Sequence, residues 1–397
     1  NSNVTQSFTF NFGQDSTFAD AKPMGAFTDD SELGTFQYQP PVGFKSLCSA
    51  NLPEPTIVDG SEYFNTVLYT GNNNSLAVSG VGFQPDFIWA KSRSGSRDHI
   101  LVDEVRGATK MLSSNLTAAE VTGTDFASFD SDGFSLNAKD TTGGLNSSGD
   151  TYVAWNWLAG TAFSNDASAT GVGTIDSSGQ VNTTAGFSIV SYVGSSSNQT
   201  VAHGLSSAPE MILVKERTST SGWFVYTSPT GAGKYLGLHS TTAESSSTAS
   251  WNNTAPTSSV FSVGTSGGTN QSSQDYIAYC FHSVAGYSKV GSYTGNGSTD
   301  GPFLYMGFEP SFFLAKRSNG VESWFMIDNK RHPFNDGNIP RLRPNQSGAE
   351  AEDASIAGDF LSNGFKIRAT QNMINTSGAE YIYLAFAETP QKFANAR

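Results

Sequence analysis

The chain has 397 residues, of which 22 are basic and 35 acidic, giving a formal net charge of −13 with 14% charged and 37% hydrophobic residues. A phosphate-binding surface needs clustered Lys and Arg; the densest basic stretches, Lys91 to Arg97 and Lys330 to Arg343, are diluted by turn residues, so no nucleic-acid partner is expected. No apolar stretch reaches the length of a membrane span, and no charged-then-apolar signal opens the chain, so no membrane insertion is expected.

Residues 1–55 form a first region. Thr9-Phe-Asn-Phe-Gly13 alternates like a strand, and Tyr38-Gln-Pro-Pro-Val-Gly43-Phe44-Lys-Ser-Leu-Cys48 runs into the proline-punctuated boundary Asn51-Leu-Pro53-Glu-Pro55. The chain opens at Asn1 without Met, so processing or further sequence upstream is expected. Then one phrase occurs three times: a Tyr-x-Gly turn, an apolar strand ending in Lys, an Asn/Ser/Gly-rich loop and a strand centred on Tyr. The turns are Tyr69-Thr-Gly71, Tyr192-Val-Gly194 and Tyr293-Thr-Gly295; the strands end at Lys91, Lys215 and Lys316; the late tyrosines are Tyr152, Tyr276 and Tyr381. Tyr-to-Lys spacings are 22, 23 and 23 residues, and Lys-to-Tyr spacings 61, 61 and 65. Such regularity marks a repeated module.

The first repeat covers 56–160. Asp86-Phe-Ile-Trp-Ala-Lys91 is its apolar strand, entered after Pro85, and His99 opens a second strand eight residues after Lys91, a hairpin signal. Ser114 to Glu120 carries the best helix signal, one or two turns, echoed by Ala349-Glu-Ala-Glu352. A Gly/Ser/Thr-rich stretch, 161–185, reads as a flexible linker. The second repeat (186–286) has Trp223 opening its second strand, and the third (287–389) has Trp324; a tail, 390–397, closes the chain. Cys48 and Cys280 sit in apolar runs and read as buried free thiols. Each repeat is expected to be an antiparallel β-sandwich, jelly-roll-like, making the protein all-β with three such units in tandem.

The search for chemistry finds no catalytic set. Gly264-Thr-Ser-Gly-Gly268 fits a nucleophile pattern but runs into a polar sequence rather than a helix. Gly231-Ala-Gly-Lys234 lacks the rest of a phosphate loop. Asp130-Ser-Asp132-Gly133 reads as a β-turn rather than a calcium loop, and five scattered histidines give no zinc spacing. Asp103-Glu104, Asp328 and Glu350-Ala-Glu-Asp353 are the carboxylates available for a glycosidic pair, with turn and strand-edge roles as the ordinary alternative. The three lysines read as strand-ending, solubilising residues. Most Trp lie in apolar strands and read as core; Trp251, flanked by Ser, Asn and Thr, is expected to be an exposed binding residue. No enzyme, cofactor or metal is expected.

Phe10-Asn-Phe-Gly13-Gln14 and Pro40-Pro41-Val-Gly43-Phe44-Lys-Ser-Leu-Cys48 resemble the closing strands of a SPRY-type β-sandwich, so 1–55 looks like a SPRY-like remnant. Gly80-Val-Gly-Phe-Gln-Pro-Asp-Phe-Ile-Trp-Ala-Lys91, Val105-Arg-Gly-Ala-Thr-Lys110, Tyr152-Val-Ala-Trp-Asn-Trp157 and Tyr381-Ile-Tyr-Leu-Ala-Phe-Ala-Glu388 resemble repeat modules of structural or tail-fibre proteins of marine tailed bacteriophages. The resemblance implies a virion-surface protein, a fibre or appendage adhering to a host glycan or protein beside other virion proteins, and a homotrimer. Capsid decoration without receptor contact and a glycan-degrading tailspike are the alternatives.

Overall fold

The computed structural model describes residues 27–32, 34–46, 51, 56–138, 144–333, 335, 337, 339–352 and 356–387. The strand expected at Thr9–Gly13, Cys48 and the tail 390–397 lie outside the described residues. Two compact units divide after residue 55. In the first, Phe27–Thr28 and Thr35–Phe36 pair antiparallel, and the Asp29 carboxylate accepts from the Ser46 and Ser31 amides.

The second unit is built from antiparallel sheets, and the all-β expectation holds. In each repeat the late strand is central. Thr151–Trp157 pairs with Phe64–Thr70 on one side and Phe87–Ser92 on the other; Asp275–Phe281 does the same with Phe187–Val193 and Met211–Glu216, and Glu380–Phe386 with Ser288–Thr294 and Phe312–Arg317. The hairpin signals are met: Ile100–Asp103, Trp223–Thr227 and Phe325–Asp328 each return beside the Lys strand. A smaller sheet covers one face of each main sheet. Its strands are Leu76–Ser79, Gly133–Leu136 and Phe126–Asp130 in the first repeat, Gln199–Ala202 and Val260–Val263 in the second, and Phe303–Tyr305, Gly364–Ile367 and Gly358–Leu361 in the third.

Strand alternation sends successive side chains to opposite faces. Ile88 and Ala90, Ile212 and Val214, and Phe313 and Ala315 point into three private cores under the small sheets. Phe87 and Trp89, Met211 and Leu213, and Phe312 and Leu314 point the other way, into one core common to all three repeats. Both faces are therefore buried, which is why these strands read as continuous apolar runs rather than alternating ones. Aromatic rings close the common core from every side: Phe87 stacks on Tyr279 at 4.3 Å, Phe64 on Phe386 at 5.1 Å, and Phe281 meets Phe386 edge-on at 6.0 Å. The repeats are consecutive in sequence but are not independent beads.

Three local expectations are corrected. Residues 161–185 are not a flexible linker: Thr161–Asn165 and Ser177–Asn182 pair with each other, and the second strand joins the main sheet through Phe187–Val193. Gly179 serves close approach there, since a Cβ at that position would lie 1.8 Å from the Ile189 carbonyl oxygen. Ser114 to Glu120 and Ala349 to Glu352 form no helix. The α-helices among the described residues are Ala167–Thr170, Thr248–Trp251, Gly267–Asn270 and Asn372–Asn375, each a single turn, beside one 3-10 turn at Gly60–Glu62.

Candidate functional site

The repeated phrase folds into a lock. In each copy the two tyrosines stack nearly parallel: Tyr69 on Tyr152 at 4.9 Å, Tyr192 on Tyr276 at 5.1 Å and Tyr293 on Tyr381 at 4.7 Å. The late tyrosine hydroxyl donates to the carbonyl of Gly144, Gly267 or Asn372 and accepts from the amide of Ser147, Gln271 or Thr376. The turn glycine is required because a Cβ on Gly71, Gly194 or Gly295 would come within 2.3, 2.2 or 2.3 Å of a carbonyl oxygen of the opposing loop. A fully buried asparagine, Asn146, Asn270 or Asn375, completes each lock by accepting the amide just after that glycine, from Asn72, Ser195 or Asn296.

The three lysines occupy equivalent places, and they are buried rather than solubilising. Each Nζ donates to the next residue's carbonyl, at Ser92, Glu216 or Arg317, at 2.5 Å in every copy. Lys91 and Lys316 also reach the carbonyls of Gly95 and Gly320, tying down the hairpin loop. Burial pulls each ammonium down from its ordinary value to about 8. A base whose folded pKa is lowered holds fewer protons folded than unfolded between about 8 and its unfolded value near 10.4, so stability rises with pH through that window. Tyr69, Tyr192, Tyr279, Tyr287 and Tyr293 act oppositely, because burial raises their hydroxyls well above 10 and stability is lost as the unfolded chain ionises there. The melting temperature is thus expected to climb from pH 8 and peak between pH 9 and 10. A steady fall across that range in a calorimetric pH series would contradict these assignments.

The candidate carboxylates sit in seams between repeats. Asp103 accepts from Arg106 Nε at 2.5 Å and from the Tyr279 hydroxyl of the second repeat at 2.7 Å. Asp328 accepts from Arg331 Nε at 2.7 Å and from Trp155 Nε1 of the first repeat at 3.0 Å. Burial opposes the charge of both guanidiniums, and their carboxylate partners more than offset it, holding each above its ordinary value. Glu120 bridges Arg106 and Arg217, and Glu350 bridges Arg331 and Arg93. The third seam keeps the backbone bond, Glu244 N to the Ser318 carbonyl, but has Thr227 where the others have Asp, and Leu384 where they have Trp155 or Tyr279. The contacts therefore run from first repeat to second, second to third and third back to first. Glu104 is exposed and lies beside Asp86, whose carboxyl is raised to about 7 by burial and by that contact; the Asp86 oxygen is already taken by the Ala159 and Gly160 amides at 2.7 and 2.6 Å. Among the described residues, the one carboxyl that faces a candidate is therefore Asp86 beside Glu104, and it is held by two backbone amides rather than free. Glu352 is exposed, and Asp353 lies outside the described residues.

The other motifs are also absorbed by structure. Asp132 accepts from the Gly80 and Gly82 amides, and no group of three or more metal-ligating side chains occurs among the described residues. A helical turn does follow Gly264, against expectation, and Ser266 caps it by accepting from the Gly268 amide. Trp251 is not exposed: it is 1% accessible and packs on Tyr226, because the turn Thr248–Trp251 aims its indole inward despite polar neighbours. Cys280 is a buried free thiol, as expected.

What remains on the surface of the second unit, among the described residues, is an aromatic pair that sequence reading missed. Phe303 and Tyr305, on one face of an edge strand, are 43% and 63% exposed. Lys289 lies over the Tyr305 ring at 5.8 Å, and Lys366, cross-strand from Phe303, pairs with Asp300 at 2.6 Å. Tyr305 pairs with Gly364 as Ser79 pairs with Gly133 and Ala202 with Val260. By the same register Phe303 stands where the other copies have Ala77 and Thr200. Packing common to the three copies does not need rings there; only comparison between copies exposes them. No curated protein matches the chain. Residues 59–390 match the family described as Domain of unknown function (DUF7483), and the chain belongs to that family.

Proposed function

We propose that this chain is a bacteriophage virion structural protein, displayed at the particle surface as a fibre or appendage, and that it adheres to a host glycan or protein through the third repeat rather than catalysing a reaction. The repeat phrases quoted above support the virion reading by resemblance. The observation that carries the adhesive role is the exposed Phe303–Tyr305 pair, two rings where the other copies place Ala, Ser and Thr. Rings of this kind, fringed by Lys289, Lys366 and Asp300, offer sugar C–H faces a stacking surface and their hydroxyls polar partners. A homotrimer belongs to the same reading and needs a surface other than the Lys-strand sheets, whose two faces are covered within one chain.

The test is binding of the purified chain to host cells and a glycan array, against Phe303→Ala/Tyr305→Ala. Both side chains are substantially exposed, so the double variant is expected to melt as the wild type does. Two ring contacts at about 0.5–1.5 kcal/mol each predict a loss of roughly 5- to 150-fold. Equal binding by both proteins removes the site. A wild type that binds neither cells nor glycans removes the receptor role and favours capsid decoration.

A further inference from the structure

A strand at a sheet edge presents amides and carbonyls that bond a further strand wherever nothing covers them. In the second repeat the chain covers such an edge itself. Thr200, on Gln199–Ala202, turns its backbone away from Val260–Val263; its carbonyl accepts the Thr174 amide at 2.8 Å, and its amide donates to Thr174 Oγ1 at 2.7 Å. Ile175 bridges to Val201 in parallel, and Ser177 Oγ donates to the Ala202 carbonyl at 2.9 Å. The stretch then continues as Ser177–Asn182 along the edge of the main sheet. Residues 174–182 thus close one flank of the second repeat at both sheets.

The third repeat has no such stretch, because only 282–287 separate Asp275–Phe281 from Ser288–Thr294. Register places Phe303 where Thr200 stands and Tyr305 where Ala202 stands. Ile367 donates its amide to the Pro302 carbonyl and Met306 donates its own to the Asn363 carbonyl. By the alternation of an antiparallel ladder, the backbones of Phe303 and Tyr305 therefore point away from Gly364–Ile367, to the open side. Lys289 takes the Tyr305 carbonyl at 3.0 Å, but no strand lies along this edge among the described residues. On the main-sheet edge beside it, Ser288 and Val290 are tied to Val284 and Ser283, while Ser292 and Thr294 are exposed. The first repeat leaves Leu76–Ser79 as an equivalent edge, with Ala77 and Ser79 in place of the rings.

We infer that the third repeat binds an extended polypeptide segment of its partner by strand addition along Phe303–Tyr305, in the place that 174–177 fills in the second repeat. This rests on the adhesive reading above and, of glycan and protein, names protein. The second repeat supplies the backbone geometry that this edge accepts. A segment tethered in the same chain is held at high effective concentration and needs little side-chain grip. A strand arriving from another molecule lacks that tether. Main-chain bonds to the edge and side-chain contacts with two exposed rings are what such a strand requires.

Binding of the full chain to host cells that are untreated, protease-treated or periodate-oxidised tests it, with Phe303→Ala set against Phe303→Pro. Both variants lose the ring, and proline alone also loses the amide, at an edge position where the outward amide makes proline tolerable. Strand addition predicts that Phe303→Pro binds roughly 5- to 150-fold more weakly than Phe303→Ala, since a carbonyl of the incoming strand loses its donor. It also predicts that protease removes wild-type binding and periodate spares it. Should Phe303→Pro melt below Phe303→Ala, Tyr305→Pro against Tyr305→Ala decides, because that amide faces the same way. Where both treatments remove binding, the proline–alanine comparison decides. Binding that survives protease but not periodate, or that is equal in the proline and alanine variants, overturns the inference and leaves the adhesive reading standing. A wild type that binds no cells removes both.

Discussion

Asp328→Ala is expected to lower stability by about 3–5 kcal/mol, the range for removing one partner of a buried ion pair and stranding the other. The side chains of Asp328 and Arg331 are both 0% exposed. Alanine removes three acceptor contacts together: Arg331 Nε at 2.7 Å, the Arg331 amide at 2.9 Å and Trp155 Nε1 at 3.0 Å. Glu350 still contacts Arg331 Nη1 at 2.8 Å, but it is shared with Arg93 and does not reach the indole. Because the common core joins all three repeats, the loss is expected as a shift of one cooperative transition in urea, not of one part in three. Thr227→Ala at the third seam supplies the contrast. Thr227 exchanges a hydroxyl bond with Thr230, so about 1 kcal/mol is expected. Three separate transitions, with only one displaced by Asp328→Ala, would show that the repeats fold independently.

Sequence reading reached the all-β class because turn glycines, prolines at strand entries and β-forming residues are local signals. It reached the repeat for the same reason: Tyr69 and Tyr152, or Tyr293 and Tyr381, keep their spacing because each pair must stack. Closure of the repeats on one another was not legible. Asp103 and Tyr279 are 176 residues apart, and Trp155 and Asp328 are 173 apart, so no periodicity brings them together. The linker reading failed because glycine was taken for freedom, whereas Gly179 is there to let strands meet. Polar flanks misplaced Trp251 and a terminal position misplaced the lysines; one helical turn and three backbone carbonyls explain the outcomes. Phe303 and Tyr305 carried no signal by themselves. Their signal lies in the difference from Ala77, Ser79, Thr200 and Ala202, and that alignment needs the strand register.

Asn270→Leu is expected to cost on the order of 3 kcal/mol or more, although leucine keeps the volume and adds apolar surface. Asn270 is 0% exposed, and its amide joins three segments. Its oxygen accepts the Ser195 amide at 2.7 Å, and its nitrogen donates to the Ser197 carbonyl at 2.5 Å and the Gly264 carbonyl at 2.7 Å. Those partners belong to the turn after Gly194 and to the end of the small-sheet strand, so one side chain fastens the two sheets together. Leucine leaves three backbone groups without this partner, at roughly 1–3 kcal/mol for each that water does not reach, and the apolar gain does not offset several such losses. Asn270→Asp separates the contributions, since it keeps an acceptor for Ser195 but sets a carboxylate against two carbonyl oxygens. It is expected to be at least as damaging at pH 7, with partial recovery under acid as the carboxyl gains a proton to donate. Denaturation midpoints for the three proteins at pH 7 and pH 4 decide the matter: a leucine variant within 1 kcal/mol of wild type would mean that the asparagine merely fills space.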